Sequence, residues 1–375
     1  MSKWEWKKLG EVCDVIAGQS PQSSAYNSEG IGLEFHQGKK AFGIRVIQPS
    51  NVWTKEYSKI AKKGDILMSV RAPVGPVNFT DREICIGRGL AAIRNTGALD
   101  ENFLFYYFIN NESNMTSKAG AVFDSINRSD IQKFIIPIPP LPEQKRIVKF
   151  LDEEFSKIET LKTNAETNLK NAKELFETTL EKELNPLSRH SERSEESSAD
   201  LPSGWEWKKL GEVCEIICGQ DYKNVECESG AYPVYGSGGV IGYAREFRCP
   251  ANCTIVGRKG SINNPMYVEE PFWNIDTAFG LSAKECMESK YLFYFCKCFD
   301  FTTLDKSSGR PSLARKDLLE IQIPLPPLSV QKEIVAHLDK LSENVKRLEA
   351  NYKQIIANCD ELKKSILKKT FERES

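Results

Sequence analysis

The sequence predicts an α+β protein built twice: two similar globular modules, each followed by a long α-helix, the helices pairing as an antiparallel coiled coil. Three observations predict it. The run Trp4-Glu5-Trp6-Lys7-Lys8-Leu9-Gly10-Glu11-Val12-Cys13 returns unchanged from Trp205 to Cys214. Each copy opens a mixed segment that closes on a proline run, Ile136-Pro137-Ile138-Pro139-Pro140-Leu141 in the first and Ile323-Pro324-Leu325-Pro326-Pro327-Leu328 in the second. A charged stretch with helical periodicity follows each run. A duplicated unit of this size is longer than a solenoid repeat, so it implies two like modules.

The elements follow in order. The first module covers 1–141 and the second 204–328. In the first, Asp65–Val70 lies between Gly64 and Pro73 and reads as a strand with turn punctuation. Glu83–Ile86 and Leu90–Ile93 read likewise, as do Cys253–Val256 and Phe279–Ser282 in the second module. Phe103–Ile109 and its counterpart Tyr291–Cys296 are too apolar to be exposed and read as buried helices. The proline runs are extended, because proline cannot occupy a helix interior or donate to a central strand. Pro142-Glu143-Gln144 puts proline and an acid in a first turn, a helix start. Ser329 is placed to cap the second long helix.

The long helices are expected over 142–184 and 329–375. In the second, Ile334, Leu338, Leu341, Val345, Leu348, Tyr352, Ile355, Cys359, Leu362 and Ile366 alternate steps of four and three, a coiled-coil seam. The first carries a looser version: Leu151, Ile158, Leu161, Ala165, Leu169, Ala172, Leu175 and Leu180. About 40 residues of helix span on the order of 60 Å, too long to fold back into a module, so each needs a helical partner. The stretch 185–203 is Ser- and Glu-rich without apolar period and reads as a mobile linker that lets the chain reverse.

Composition sets bounds. The 375 residues are 40% hydrophobic, enough for ordinary cores, and carry a net charge of -1, so any contact with a polyanion must come from local basic patches. No apolar run approaches the roughly 20 residues of a membrane span, and the first residues lack the apolar core of a secretory signal. Eleven scattered cysteines in a large chain suit a reduced, cytoplasmic compartment.

With these motifs the chain resembles the specificity (S) subunits of type I restriction-modification systems, over nearly its whole length. The resemblance rests on the duplicated Trp-Glu-Trp-Lys-Lys-Leu-Gly-Glu-Val and on Ile-Pro-x-Pro-Pro-Leu followed by Gln144-Lys145-x-Ile147-Val148 and Gln331-Lys332-x-Ile334-Val335. It rests also on Tyr232-Pro233-Val234-Tyr235-Gly236-Ser237-Gly238-Gly239-Val240-Ile241-Gly242-Tyr243 and on Ile255-Val256-Gly257-Arg258-Lys259-Gly260-Ser261. The resemblance implies two target-recognition domains, each binding one half of a bipartite, asymmetric site on double-stranded DNA. It implies helices that fix the gap between the halves and dock methyltransferase (M) subunits, and through them restriction (R) subunits. The first module departs from the Tyr-Pro-Val-Tyr pattern around Glu34–Lys40, so the two modules should read different half-sites.

Base reading requires donors and acceptors on loops that reach a groove. The candidates in the first module are Gln37, Lys39, Lys40, Arg45, Ser69, Arg71, Arg88 and Arg128. Those in the second are Tyr235, Ser237, Arg258, Lys259, Ser261, Asn263, Asn264 and Arg310. Arg71 and Arg258 each follow a strand with a glycine shortly after, and read as equivalent positions. The bland alternative is that the glycines make turns and the arginines surface ion pairs. Trp4, Trp6, Trp205 and Trp207 are identical in both copies, which favours a packing role over base reading. Cys214, Cys218, Cys227, Cys249 and Cys253 cluster in the second module without C-x-x-C spacing and read as buried thiols; no metal or cofactor is expected.

Catalysis is expected to lie on other chains. Asn264-Pro265-Met266-Tyr267 faintly echoes an amino-methyltransferase loop, but no convincing glycine-rich turn for a methyl donor accompanies it, and no phosphate-binding P-loop occurs. A rival reading from another class is a non-catalytic scaffold with two protein-binding modules on a coiled-coil rod, which the near-neutral charge would suit.

Overall fold

The protein is described by a computed structural model. It describes residues 4–57, 59–115, 117–118, 121–122, 125–184, 201–228, 232–307 and 309–372. The expected linker therefore lies almost wholly outside the described residues. No helix among those described is long and apolar enough to cross a membrane.

The chain divides into two compact units. The first comprises 1–165 and 354–375, the second 166–353. Each unit thus holds one globular module, the beginning of the long helix that follows it and the end of the other long helix.

In the first unit the duplicated motif forms strand Glu5–Lys8, which pairs antiparallel with Ile135–Ile138, Trp6 opposite Pro137. The proline run is indeed extended, and its prolines are tolerated because the sheet has only two strands. A four-stranded sheet follows in the order Cys13–Ala17, Leu90–Asn95, Ile66–Ser69, Val77–Phe79. A five-stranded sheet runs in the order Tyr26–Asn27, Trp53–Thr54, Leu33–His36, Ile84–Ile86, Ile60–Ala61. Helix Glu101–Met115 starts where the Asp100 carboxylate accepts from the amides of Asn102 and Phe103. Its residues Phe103, Leu104, Phe105, Tyr106 and Phe108 are buried, as their apolarity requires.

The second unit repeats the plan. Strand Glu206–Lys209 pairs with Gln322–Leu325, Trp207 opposite Pro324. Its four-stranded sheet has the order Cys214–Cys218, Ala278–Ala283, Cys253–Gly257, Met266–Val268. Its second sheet has three strands, Gly239–Ala244, Tyr232–Gly236 and Trp273–Asn274. Helix Ser289–Cys298 corresponds to Glu101–Met115. Of the four tryptophans, Trp4 packs edge-on to Phe103, whereas Trp6 and Trp207 stand exposed on their strands. The packing role therefore fits only part of the set.

The long helices span Leu141–Leu184 and Leu328–Glu372. Ser329 lies inside the second helix and does not cap it. The Pro327 carbonyl accepts from the amides of Val330 and Gln331, as the Pro140 carbonyl does from Glu143 and Gln144. A buried glutamine then pins each helix to its module. Gln144 accepts from the Asp100 amide at 2.6 Å and donates to the Pro139 carbonyl at 2.8 Å. Gln331 accepts from the Glu288 amide at 2.7 Å and donates to Pro326 at 2.8 Å and Cys286 at 3.1 Å. A tyrosine adds a second tie: Tyr106 donates to Asp152, and Tyr294 to Asp339.

The helices run antiparallel where they meet. In the first unit Lys162 pairs with Asp360 at 2.8 Å and Glu159 with Lys363 at 2.5 Å; in the second, Glu183 faces His337 at 3.5 Å. The expected seam is only half used. Leu151, Ile158, Ala165 and Ala172 are buried on one helix and Leu338, Val345 and Cys359 on the other, each set following the seven-residue repeat. The alternate row, Leu161 and Leu175 with Leu348, Ile355 and Leu362, remains exposed. The helix ends go elsewhere. Leu367 and Phe371 join the first module's core, with Phe371 against Phe103 and Tyr107. Leu180 and Leu184 join the second module's core, and Phe176 stands edge-on to Tyr294.

Candidate nucleic-acid interface

The strand register sets which residues of the two modules correspond. Asn95 lies opposite Cys13 and Ala283 opposite Cys214, so these positions match through the duplicated motif. Counting back along the next pairing, Ile93 faces Ile66 while Leu281 faces Thr254. Ser69 therefore matches Gly257, Val70 matches Arg258, and Arg71 matches Lys259. The loop bonds agree: Ile126 donates its amide to the Val70 carbonyl, Leu313 to that of Arg258, and isolated bridges join Arg71 to Ser125 and Lys259 to Ser312. The expected equivalence of Arg71 with Arg258 is thus off by one. Spacing from the nearest glycine misled, because the loops that follow differ in length.

In the first module the loops at one end of the sheets converge. The Ser20 hydroxyl donates to Gln37 at 2.7 Å and accepts from the Arg88 amide at 3.2 Å. The Gly89 amide donates to the Gln37 carbonyl, and the Val70 amide to the Gly89 carbonyl. Gln37, Arg71 and Arg88 are thereby brought to one exposed surface. Lys39 and Lys40 stand exposed on the 3-10 turn Lys39–Ala41 just beyond Gln37, and Arg128 opens the short helix Arg128–Gln132.

Two candidates are tied up in structural bonds. Arg45 donates to Tyr106 at 2.9 Å, Asp152 at 3.2 Å and Asn102 at 2.6 Å, and lies over the rings of Phe79, Phe105 and Tyr106. It fastens the module to its helix. Ser69 is buried and donates to the carbonyl of Arg71, so it shapes that loop from beneath.

In the second module Thr277, which sequence reasoning missed, organises the surface. Its carbonyl accepts from the amides of Arg258 at 2.7 Å and Lys259 at 3.2 Å, and its hydroxyl accepts from the Ser237 amide at 3.4 Å. Arg310 lies against Gly260, whose φ of 81° is in the glycine-favoured region, and the Gly260 amide donates to Pro311. Arg258, Lys259, Ser261 and Arg310 are thus gathered, with Ser237 buried beneath them. Asp276 enters the same surface, pairing with Lys259 at 3.4 Å. Asn264 is exposed, while Asn263 braces a loop, donating to Asp300 and accepting from the Phe301 amide. Tyr235 turns away, edge-on to Phe272, into a groove of about 900 Å³ that Glu270, Lys290 and Asp339 also line.

A sequence signal for the closure of these loops was present. Gly18-Gln19 and Gly219-Gln220 recur at the same offset as the duplicated motif. A Cβ on Gly18 would lie 2.2 Å from the Gly87 carbonyl, and one on Gly219 1.8 Å from that of Ile275, so only glycine lets these loops close. The cysteines form no metal-ligating cluster among the described residues. Cys249 and Cys253 are buried in an apolar cluster with Phe272, and burial pushes the Cys214 thiol up to about 12.

Comparisons with known proteins match this architecture. The chain is 44% identical over 156 residues to a putative type I restriction enzyme MjaX specificity subunit of Methanocaldococcus jannaschii, covering 40% of this chain and 36% of that protein. The chain spans between 36% and 53% of the length of three such curated relatives. A type I restriction enzyme EcoDI specificity subunit of Escherichia coli is 22% identical, with 99% of this chain and 88% of that protein covered. Among solved structures, a chain of a type I R-M system superposes with a TM-score of 0.80 at 22% identity, covering 100% of this chain and 98% of its own, and so shares the fold. The family model described as type I restriction modification DNA specificity domain matches residues 1–171 and again 202–357, so the chain belongs to that family.

Proposed function

We propose that this chain is the DNA-reading subunit of a type I restriction-modification assembly. Each module reads one half of a bipartite, asymmetric duplex site, and the chemistry is done by methyltransferase subunits and, through them, restriction subunits. One observation carries the reading: two modules with matching strand registers present unlike polar loops at the same end of their sheets. Identical frames with identical loops would suit a symmetric scaffold. Unlike loops on one frame suit two different half-sites.

In this reading Gln37, Arg71 and Arg88 in the first module and Lys259, Ser261 and Arg310 in the second contact base edges or phosphates, while the buried Ser237 supports its loop from beneath. Lys39, Lys40, Arg128, Arg258 and Asn264 extend the same surfaces. Arg45, Ser69, Tyr235 and Asn263 act from behind by holding the loops and the helix junction. In each unit exposed apolar residues of the long helices, Leu161, Ile355 and Leu362 in the first and Leu175 and Leu348 in the second, supply surface on which methyltransferase subunits can dock. The chain works in the cytoplasm, where its free thiols and its DNA target belong.

The test is methylation mapping of the genome with and without this gene, followed by single substitutions. The intact gene should yield one bipartite methylated motif. Arg71→Ala should relax or weaken one half of it, and Lys259→Ala the other, each by about tenfold for a contact of roughly 1–3 kcal/mol. Equal weakening of both halves by either substitution would refute independent modules.

A further inference from the structure

The hairpin Tyr232–Ala244 carries an apolar edge that the functional reading leaves unused. Val240 and Ile241 are each 50% exposed on Gly239–Ala244, the outer strand of its sheet. Covering such side chains is favourable in proportion to the apolar area removed from water. The turn before them is open: a Cβ on Gly238 or Gly239 would meet nothing within 4 Å, and Gly239 has a φ of 125°.

This apolar tip adjoins the basic loop. The Ile241 side chain comes within 3.8 Å of the point where a Cβ on Gly236 would lie, and the Thr277 hydroxyl within 3.4 Å of that same point. Thr277 in turn holds the amides of Arg258 and Lys259. Arg310 lies over Gly260, in the same loop. The loop set presents three cations, Arg258, Lys259 and Arg310, against two carboxylates, Asp276 paired with Lys259 and Asp305 accepting from the Ser307 and Ser312 amides. Apolar tips bordered by net positive charge match a partner with anions outside and flat apolar layers within, which is duplex DNA.

We propose that Val240 and Ile241 form a wedge that enters the base stack within the half-site of the second module, while Arg258, Lys259 and Arg310 hold the flanking phosphates. The proposal rests on the DNA-reading function above. In the first module the matching strand end leads through the Lys39–Ala41 turn into a loop bridged antiparallel at Phe42 and Ile47, where Ile44 is exposed, so distortion of that half-site is a separate matter from the Val240–Ile241 wedge.

The experiment uses the full chain with its methyltransferase subunits and duplexes of the mapped site. 2-Aminopurine is placed in turn at steps of either half, away from the methylated adenines. Binding should raise the fluorescence severalfold in the second module's half. Ile241→Ser with Val240→Ser should return that signal to the level of free duplex while the complex stays assembled, and Ile241→Met should restore it. The tip is exposed, so these changes spare the core. An equal signal from wild type and the double serine variant on bound duplex overturns the wedge. Loss of the methyltransferase subunits from the serine variant also overturns it, marking the tip as a protein contact. Failure of the wild-type complex to bind any mapped site is a different result, and sinks the DNA-reading function together with the wedge.

Discussion

The two modules solve one construction problem with different chemistry. In the first, the buried strand Leu33–His36 carries Glu34, which takes the Arg82 guanidinium in two bonds of 3.0 and 2.7 Å, the His36 ring at 3.2 Å and the Ser50 amide. In the second, the register puts Pro233 and Tyr235 at the positions of Glu34 and His36. The neutral Asn274 amide ties that sheet to the four-stranded one, donating to the Ile217 and Ala278 carbonyls. The contrast recurs in the four-stranded sheet. Asp65 and Arg94 form a two-bond ion pair at 2.9 and 2.7 Å, where the second module has Cys253 and Ser282. A shared frame fixes the strand register and leaves open whether charged or neutral groups are buried in it, since Pro233 stands where the first module has Glu34, and charge makes the first module the one sensitive to conditions.

Three experiments would break or sharpen that contrast. The largest effect concerns the helix ends. Phe371→Ala should destabilise the first unit by about 3 kcal/mol, the low end for emptying a buried aromatic site. Hydrogen exchange on the intact chain should show faster exchange in Glu101–Met115 and unchanged exchange in Ser289–Cys298. Equal loss in both would mean that the last turn is not a private part of the first module's core.

Next comes the ion pair. Arg94→Ala leaves the buried Asp65 carboxylate without its partner and should cost about 2–3 kcal/mol, discounted because Arg94 is partly exposed. Ser282→Ala, at the matching position, should cost under about 1 kcal/mol. Denaturant titration would read both; a Ser282 effect as large as that of Arg94 would erase the chemical difference between the modules.

The smallest effect is on pH. Burial lowers the His36 pKa against the pull of Glu34. Burial also pushes the Glu34 carboxyl up, but hydrogen bonds from Arg82, Ser50 and His36 prevail and leave it below the ordinary carboxylate value. Both folded-state values are depressed, so both groups stabilise the first module above their unfolded values and release that stability as pH falls. The loss should begin below the ordinary imidazole value of about 6.5 and deepen below about 4.3, the ordinary Glu value. Exchange at the amides of Phe35 and Ile86 should speed up on acidification relative to Val234 and Asn274. A parallel response in both modules would count against the role given to the charged cluster.

Much of this was legible in the sequence, for a physical reason. Strands such as Ile66–Ser69 and Cys253–Gly257, the buried helices and the two long helices are set by local pattern, and each formed close to where its residues placed it. The duplicated motif announced two like modules. Local pattern failed where the partner was distant. Arg45 looked like a loop cation, yet Asp152, more than a hundred residues on, claims it. Arg71 looked like the twin of Arg258, yet the ladder through Ile93 and Leu281 matches it with Lys259. Thr277 carried no motif at all.

The sequence by itself determined the duplication, the extended proline runs and the seven-residue rhythm of the helices, because those depend on neighbours along the chain. Only the tertiary structure decided which half of that rhythm is buried, which core receives Phe371 and Leu184, and which cations stay on the surface. Those outcomes depend on what surface each side chain meets, and a chain of this length offers many apolar rows and many carboxylates. Shape and register select among them.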